Sequence, residues 1–284
     1  RFESGSANSQ LEYVDIDRWG DVSYYGEQFG AIYLNTSGVN ISNSTIRNSE
    51  NFAIRISSSP ISPVITNNNF SANAGDISTY PGNCGGILNN TNARVLINSG
   101  SISANVSWPF PGNGSYYMLS GPTTVPQAYT LTIEAGTLLD FGLGSAGELN
   151  IDGTLRAIGT ELAPIQLVRL QSPANGTPGG RVYLTPGSTG SILNYVLFDK
   201  LGSLDYGQPA LQIATNNFSI ANITVSNSLY TGLLYSAAGS PIITSSNFYN
   251  NKTGIYVTNG SPTFDKCNIY GNTDFGINNV SSAI

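Results

Sequence analysis

Residues 240–277 read SPIITSSNFYNNKTGIYVTNGSPTFDKCNIYGNTDFGI, and the second half of the stretch nearly rewrites the first. Ser240-Pro241 falls on Ser261-Pro262, Asn247-Phe248 on Asn268-Ile269, Asn251 on Asn272 and Gly254-Ile255 on Gly276-Ile277, a period of 21 to 22 residues. A unit that short cannot close a core of its own, so successive units must stack and share one. The period therefore predicts a solenoid. Inside the unit, Ile242, Phe248, Ile255 and Val257 stand in short β-branched and aromatic runs separated by Asn, Gly, Ser and Thr, without sustained helical spacing. Such runs are strand signals. The expected class is all-β, a coil of parallel strands with about 21–23 residues per turn.

A second, longer period runs outward from this stretch. LEYVDIDRWG (11–20) resembles LNYVLFDKLG (193–202), and SPVITNNNFSANAGDI (62–77) resembles SPIITSSNFYNNKTGIYV (240–257), both at an offset of roughly 180. Residues 1–104 thus read as the closing part of one module and 105–284 as a second. The boundary falls in NVSWPFPGNGSYYMLSGPTTVP (105–126), where Pro, Gly and Asn cluster and the short rhythm is lost. A module cut in this way points to a tandem array. The chain opens on Arg1 without Met or signal peptide, which predicts a processed or excised piece of a longer protein.

The module then opens with TLTIEAGTLLDFG (130–142) and LNIDGTLRAIGTELAPIQLVRL (149–170). These lines resemble the module-opening motif of right-handed parallel β-helix proteins, the pectate-lyase-like superfold, as found in prokaryotic and archaeal secreted and cell-surface proteins. The coils at 39–77 and 218–278 resemble the same family, so the likeness spans about half of the chain. It implies a right-handed parallel β-helix of roughly 13 coils, about 60 Å long at ~4.8 Å per coil. Gly136, Gly153 and Gly159 then stand where a coil turns sharply and a positive φ is needed. The resemblance implies no particular activity, because the fold hosts lyases, hydrolases, adhesins and inert stalks.

Composition narrows the function. Charged residues make up only 10% of the 284, His is absent, and 40% apolar content with 16 Tyr and 11 Phe suffices for a long core. A net charge of −6 with scattered Lys and Arg offers no basic stripe for nucleic acid or an anionic membrane. No segment reaches the length of a membrane span, and no Gly-rich loop supports nucleotide binding. Cys84 and Cys267 are too few for a disulfide scaffold. Some eight coils would hold them roughly 40 Å apart, so both are expected as thiols filling core space, with a link to another subunit as the alternative.

The densest acidic group is Asp15, Asp17 and Asp21 with Arg18, in YVDIDRWGD. Asp15 and Asp17 share one strand face and are the candidates for Ca²⁺ binding or an acid and base pair; the second module keeps Asp199 and Lys200 at that place but not the first Asp. A polygalacturonase-like mechanism needs a His, and a Ser or Cys nucleophile would lack its imidazole base. Glu134, Asp140, Glu148 and Asp152 are expected as solvated surface, and Thr-x-Thr at 130–132 does not recur as an ice-binding array would.

Two Asn columns call for a structural reading. Asn69, Asn247 and Asn268, each preceding a core Phe or Ile, are expected to take left-handed corners and stack their amides from coil to coil. Asn73, Asn251 and Asn272 are expected to repeat the device at another corner. Asn-x-Ser/Thr acceptor sites number 13, at Asn35, Asn40, Asn43, Asn69, Asn89, Asn105, Asn113, Asn175, Asn217, Asn222, Asn251, Asn259 and Asn279. Chance placement would give roughly 6 or 7, so these motif matches are in excess. Dense acceptor sites in a charge-poor, Tyr- and Thr-rich chain resemble exported surface glycoproteins of archaea.

The sequence thus predicts a non-catalytic extracellular rod, part of a surface filament, fibre or adhesin. It calls for no cofactor, only covalent N-glycans. The expected partners are copies of itself, stacked head to tail or laterally, neighbouring surface proteins or surface glycans. The alternative is a carbohydrate-active protein, a calcium-dependent lyase or glycan-binding module, using Asp15, Asp17, Arg18 and exposed Tyr24, Tyr25, Tyr116 and Tyr117.

Overall fold

A computed structural model describes residues 1–19, 30–142, 147–170, 179–203 and 207–281. The chain winds as a solenoid of short parallel strands, three to a coil through most of its length. One sheet of 11 strands runs from Ile32–Leu34 to Asn268–Tyr270. Beside its N-terminal part lie a four-stranded sheet (from Gln10–Glu12 to Ile87–Leu88) and a three-stranded sheet (Asp15–Asp17, Thr45–Arg47 and Asn69–Ser71). Beside the rest lie an eight-stranded sheet (from Gly100–Ser101 to Phe275–Asn279) and a seven-stranded one (from Val106–Trp108 to Thr263–Asp265).

The core follows from strand alternation. Along the long sheet, one inward position per coil is occupied in register by Ile32, Ile54, Ile77, Val95, Tyr117, Leu139, Leu167, Phe198, Val225, Phe248 and Ile269. All but the last are buried. Each coil stacks its apolar side chain on the one before, which is how a 21-residue unit acquires a core it cannot build alone.

The coil period is 21 between Asn247 and Asn268 and 23 between Ile54 and Ile77, but it reaches 33 between Glu148 and Arg181 and 36 between Arg156 and Ile192. These longer loops bring the mean to about 24 residues. The column accordingly has 11 rungs in its long sheet rather than the roughly 13 expected, and spans about 48 Å between the first and last.

The long sheet passes without interruption through the Pro/Gly-rich stretch, pairing Arg94–Ile97 with Tyr116–Leu119 and these with Leu138–Asp140. The repeat nevertheless slips there by one face. Gly75–Thr79 corresponds in sequence to Thr253–Val257, yet the first belongs to the long sheet and the second to the eight-stranded sheet. Asn69–Ser71 corresponds to Asn247–Tyr249, and here the second is in the long sheet. A six-residue 3-10 turn, Pro81–Gly86, precedes the slip. Trp108 packs over the turn, its Nε1 donating to Pro81 O at 2.9 Å, and leans on Tyr117, whose hydroxyl donates to Ile87 O.

Coil corners are set by left-handed residues. They recur as Asn43, Asn67 and Asn89 at one corner and Asn48, Ala72 and Asn92 at the next, then as Asn222, Ser245 and Lys266 followed by Asn227, Asn250 and Gly271. Asn69, Asn247 and Asn268 are not among them: each opens a strand two residues later. Of the three expected corner glycines, Gly136 has φ +79°, whereas a Cβ on Gly153 would lie 2.3 Å from Pro126 O and on Gly159 2.6 Å from Tyr195 O. Those two are glycine because backbone passes too close for a side chain.

Candidate functional site

The acidic group of the first module is closed from the next coil. Asp15 and Asp17 share the outer face of Asp15–Asp17, and parallel register sets Asp17 beside Arg47. The Arg47 guanidinium donates from Nε and Nη2 to the two Asp15 oxygens at 3.1 and 3.0 Å, and Nη2 lies 3.5 Å from Asp17. Asn48 Nδ2 donates to Asp17 at 2.8 Å. That hydrogen bond, with Arg47 and Arg18 nearby, holds the Asp17 carboxyl below its ordinary range, and Asp15 in turn raises the Arg47 guanidinium. Arg18 is 82% exposed and 3.9 Å from Asp17, a minor partner. Arg47 and Asn48 thus occupy the face that the two carboxylates share. Asp21 lies outside the described residues, as do Tyr24, Tyr25 and Asn175. Arg47 was not singled out by the sequence, since only the coil offset of about 30 residues brings it to the pair.

The second carboxylate set does not gather either, and two of its members are not solvated as expected. Glu134 is exposed and accepts from Ser107 Oγ. Asp140 is buried, its Oδ1 accepting from Gly142 N and Leu170 N, and burial raises its pKa with Arg169 opposing. Glu148 pairs with Arg181 at 3.1 Å and accepts from Gln208 at 2.9 Å; Asp152 accepts from Thr185 Oγ1. Asp199 accepts from Ser226 and Asn227. Among the described residues no group of three or more Asp, Glu or Cys side chains is placed to hold a metal ion.

One open groove does combine charge, amide and ring. It lies where the three-stranded sheet ends at Asn69–Ser71, has a volume of about 410 Å³, and is lined in part by Asn73, Asp76, Asn92, Arg94 and Tyr116. Arg94 and Tyr116 are register partners on the long sheet, and Asp76 accepts from Arg94 N at 2.9 Å. Tyr116 is half-buried, and burial raises its hydroxyl pKa. Tyr117, its neighbour, is a core residue and not a surface ring.

The amides sort into two kinds. Asn251 and Asn272 act as corner clamps: Asn251 Oδ1 accepts from Ser228 N, its Nδ2 donates to Val225 O, and Asn272 repeats the pattern on Asn251 N and Phe248 O. Asn73 clamps Ser49 N and Ile46 O in the same way. Asn68 and Asn90, not singled out by the sequence, do so at the other corner. Asn268 Nδ2 does reach Asn247 Oδ1 at 2.9 Å, but Asn69 pairs with Thr45 and Thr91 on another sheet and is exposed, because the slip parts it from the other two.

Among the acceptor-motif asparagines, Asn35, Asn69, Asn89, Asn105, Asn113, Asn217, Asn259 and Asn279 are exposed, and Asn40, Asn43 and Asn222 are half-buried. Asn251 is fully buried, its side chain bonded on both sides, so the folded coil does not present it to a glycosyl transferase. Cys84 is buried and Cys267 half-buried, both as free thiols. Cys267 follows the left-handed Lys266 and sits where Ser246 follows Ser245, its Sγ 3.5 Å from Ile243 O.

Against known families, a model described as right handed beta helix region matches residues 209–283. With the parallel coil continuing through the other described residues, the match settles the architecture. The fold is a right-handed parallel β-helix. No curated protein and no solved structure matches the chain. No helix among the described residues is long and apolar enough to cross a membrane.

Proposed function

We propose that this β-helix is a non-catalytic rod of an extracellular surface, part of a filament, fibre or adhesin, carrying N-glycans and needing no cofactor. The observation that carries the reading is the closure of the densest acidic group by Arg47, which leaves the column itself as the working feature. Exposure of eight acceptor asparagines supports the glycan. Unpaired strand edges of a β-helix coil are natural pairing surfaces for a neighbouring copy, which supports end-to-end assembly. Electron microscopy of the protein on its native surface tests this. Regular fibres with subunits joined coil end to coil end are expected, whereas dispersed single rods would remove the polymer and leave a displayed stalk.

A second reading, a glycan-binding module, is favoured by the groove at Asp76, Arg94 and Tyr116, which offers donors, an acceptor and a ring face. Binding of surface polysaccharides that is lost in Arg94→Ala/Tyr116→Ala and kept in Asp15→Ala/Asp17→Ala would establish it.

A further inference from the structure

The corner between Thr253–Val257 and Thr263–Asp265 holds Asn259-Gly260. Asn259 is exposed, and its Oδ1 accepts from the Gly260 backbone N–H at 2.9 Å. That N–H donates to no backbone carbonyl among the described residues, although its neighbour Ser261 N is tied to Gly239 O at 2.8 Å. Gly260 stands at φ +72° and has no side chain to shield its nitrogen. A backbone nitrogen free of the ladder is therefore held by a hydrogen bond against the side-chain amide of the preceding residue, next to the carbon that an intramolecular attack must reach.

We infer that Asn259 is a site of spontaneous cyclisation and deamidation. The Gly260 nitrogen loses its proton and forms a bond to Asn259 Cγ, the Cγ–Nδ2 bond breaks, and ammonia leaves. The product is a five-membered succinimide. Water then opens it on either side, at Cγ to give an aspartate in place of Asn259, or at the main-chain carbonyl to give isoaspartate, which routes the backbone through the former side chain. No oxidant or cofactor takes part.

The consequences differ by product. Aspartate adds one negative charge to an exposed corner. Isoaspartate adds a methylene to the backbone at residue 259, directly before a glycine that is closely packed, since a Cβ on Gly260 would lie 2.6 Å from both Ala237 O and Gly239 O. The longer backbone is expected to shift this corner against the coil below. Asn259 also opens an acceptor motif with Ser261, so a glycan on Nδ2 would remove the amide from this chemistry; that clause alone rests on the glycoprotein reading.

Two other sites serve as internal controls. Asn113-Gly114 is exposed with Gly114 at φ +68°, but no hydrogen bond joins Gly114 N to the Asn113 side chain among the described residues. Asn51 Oδ1 accepts from Phe52 N at 2.8 Å, the same contact with a bulky residue following. The full chain, made without glycans, is held folded at mildly alkaline pH beside a sample in urea, and peptide mapping follows amide loss and isoaspartate. In the folded sample Asn259 is expected to convert several-fold ahead of Asn113, with Asn51 unchanged. Urea is expected to abolish the lead, and Asn259→Gln the signal. Conversion of Asn113 before Asn259 in the folded chain, or equal folded and unfolded rates at Asn259, would overturn the assignment.

Discussion

Asn272 Oδ1 accepts from both the backbone N and the side-chain Nδ2 of Asn251, at 3.0 and 3.2 Å, so that each clamp is held by the next. Replacing Asn251 by Ala leaves Ser228 N buried without its partner, while Val225 O keeps its place in the strand ladder. An unpaired buried group costs about 1–3 kcal/mol, so Asn251→Ala is expected to lower stability by about 2 kcal/mol in a denaturant melt. In the glycosylated protein, mass spectrometry should find Asn251 bare where Asn259 carries sugar.

Asp140 gives the column an unusual acid response. Its pKa is raised in the folded state because burial disfavours the charged form, with Arg169 and two backbone donors opposing. The folded state therefore holds the proton to higher pH than the unfolded chain. Its contribution to stability is full below the unfolded value, about 4, and declines as pH rises through the folded one. Asp17, held down by Asn48 and Arg47, has the opposite sign and loses its contribution on acidification. Asp140→Asn keeps an Oδ1 for Gly142 N and Leu170 N and should stabilise the protein at neutral pH. Melts of the two proteins from pH 3 to 7 should converge at the acid end; a constant gap would contradict this assignment.

The two kinds of corner glycine should respond differently to a methyl group. At Gly136 the space is adequate, with the nearest atoms 3.7 and 3.8 Å from a Cβ, and the penalty is the left-handed conformation. That is about 1–2 kcal/mol. At Gly153 the Cβ would meet two carbonyl oxygens at 2.3 Å, so Gly153→Ala must move backbone and is expected to be the more damaging. Thermal melts of both variants rank them.

Thiol reactivity should report burial. Desolvation pushes the Cys84 thiol far above its usual range and raises Cys267 as well. Thiolate is the reacting form, so Cys84 should resist alkylation in the folded chain and label only on unfolding, whereas the half-buried Cys267 labels slowly under native conditions. Rapid native labelling of Cys84 would place it outside the core.

The parallel coil was legible because Ile, Phe and Val recur at fixed places between turn formers, and that pattern follows from strand alternation. The clamps were half legible. Asn73, Asn251 and Asn272 stood out as a column, but Asn68 and Asn90 were hidden beside Asn67, Asn69 and Asn89, and only geometry tells which amide of a run turns inward. The available signal was the pairing itself, a left-handed residue followed at once by a small polar one, as at Asn89-Asn90 and Asn250-Asn251. Arg47 and the groove at Arg94 could not be read, because both arise between coils whose offset varies with loop length.

The one-face slip bears on multivalent recognition. The two repeats carry similar text, but Asn69–Ser71 and Asn247–Tyr249 stand on different sheets. A receptor or antibody that recognises this segment in one repeat does not find its twin in line along the rod. A rigid bivalent partner approaching from one side can therefore engage only one copy, and the repetition confers no avidity unless the partner's linker reaches around the corner.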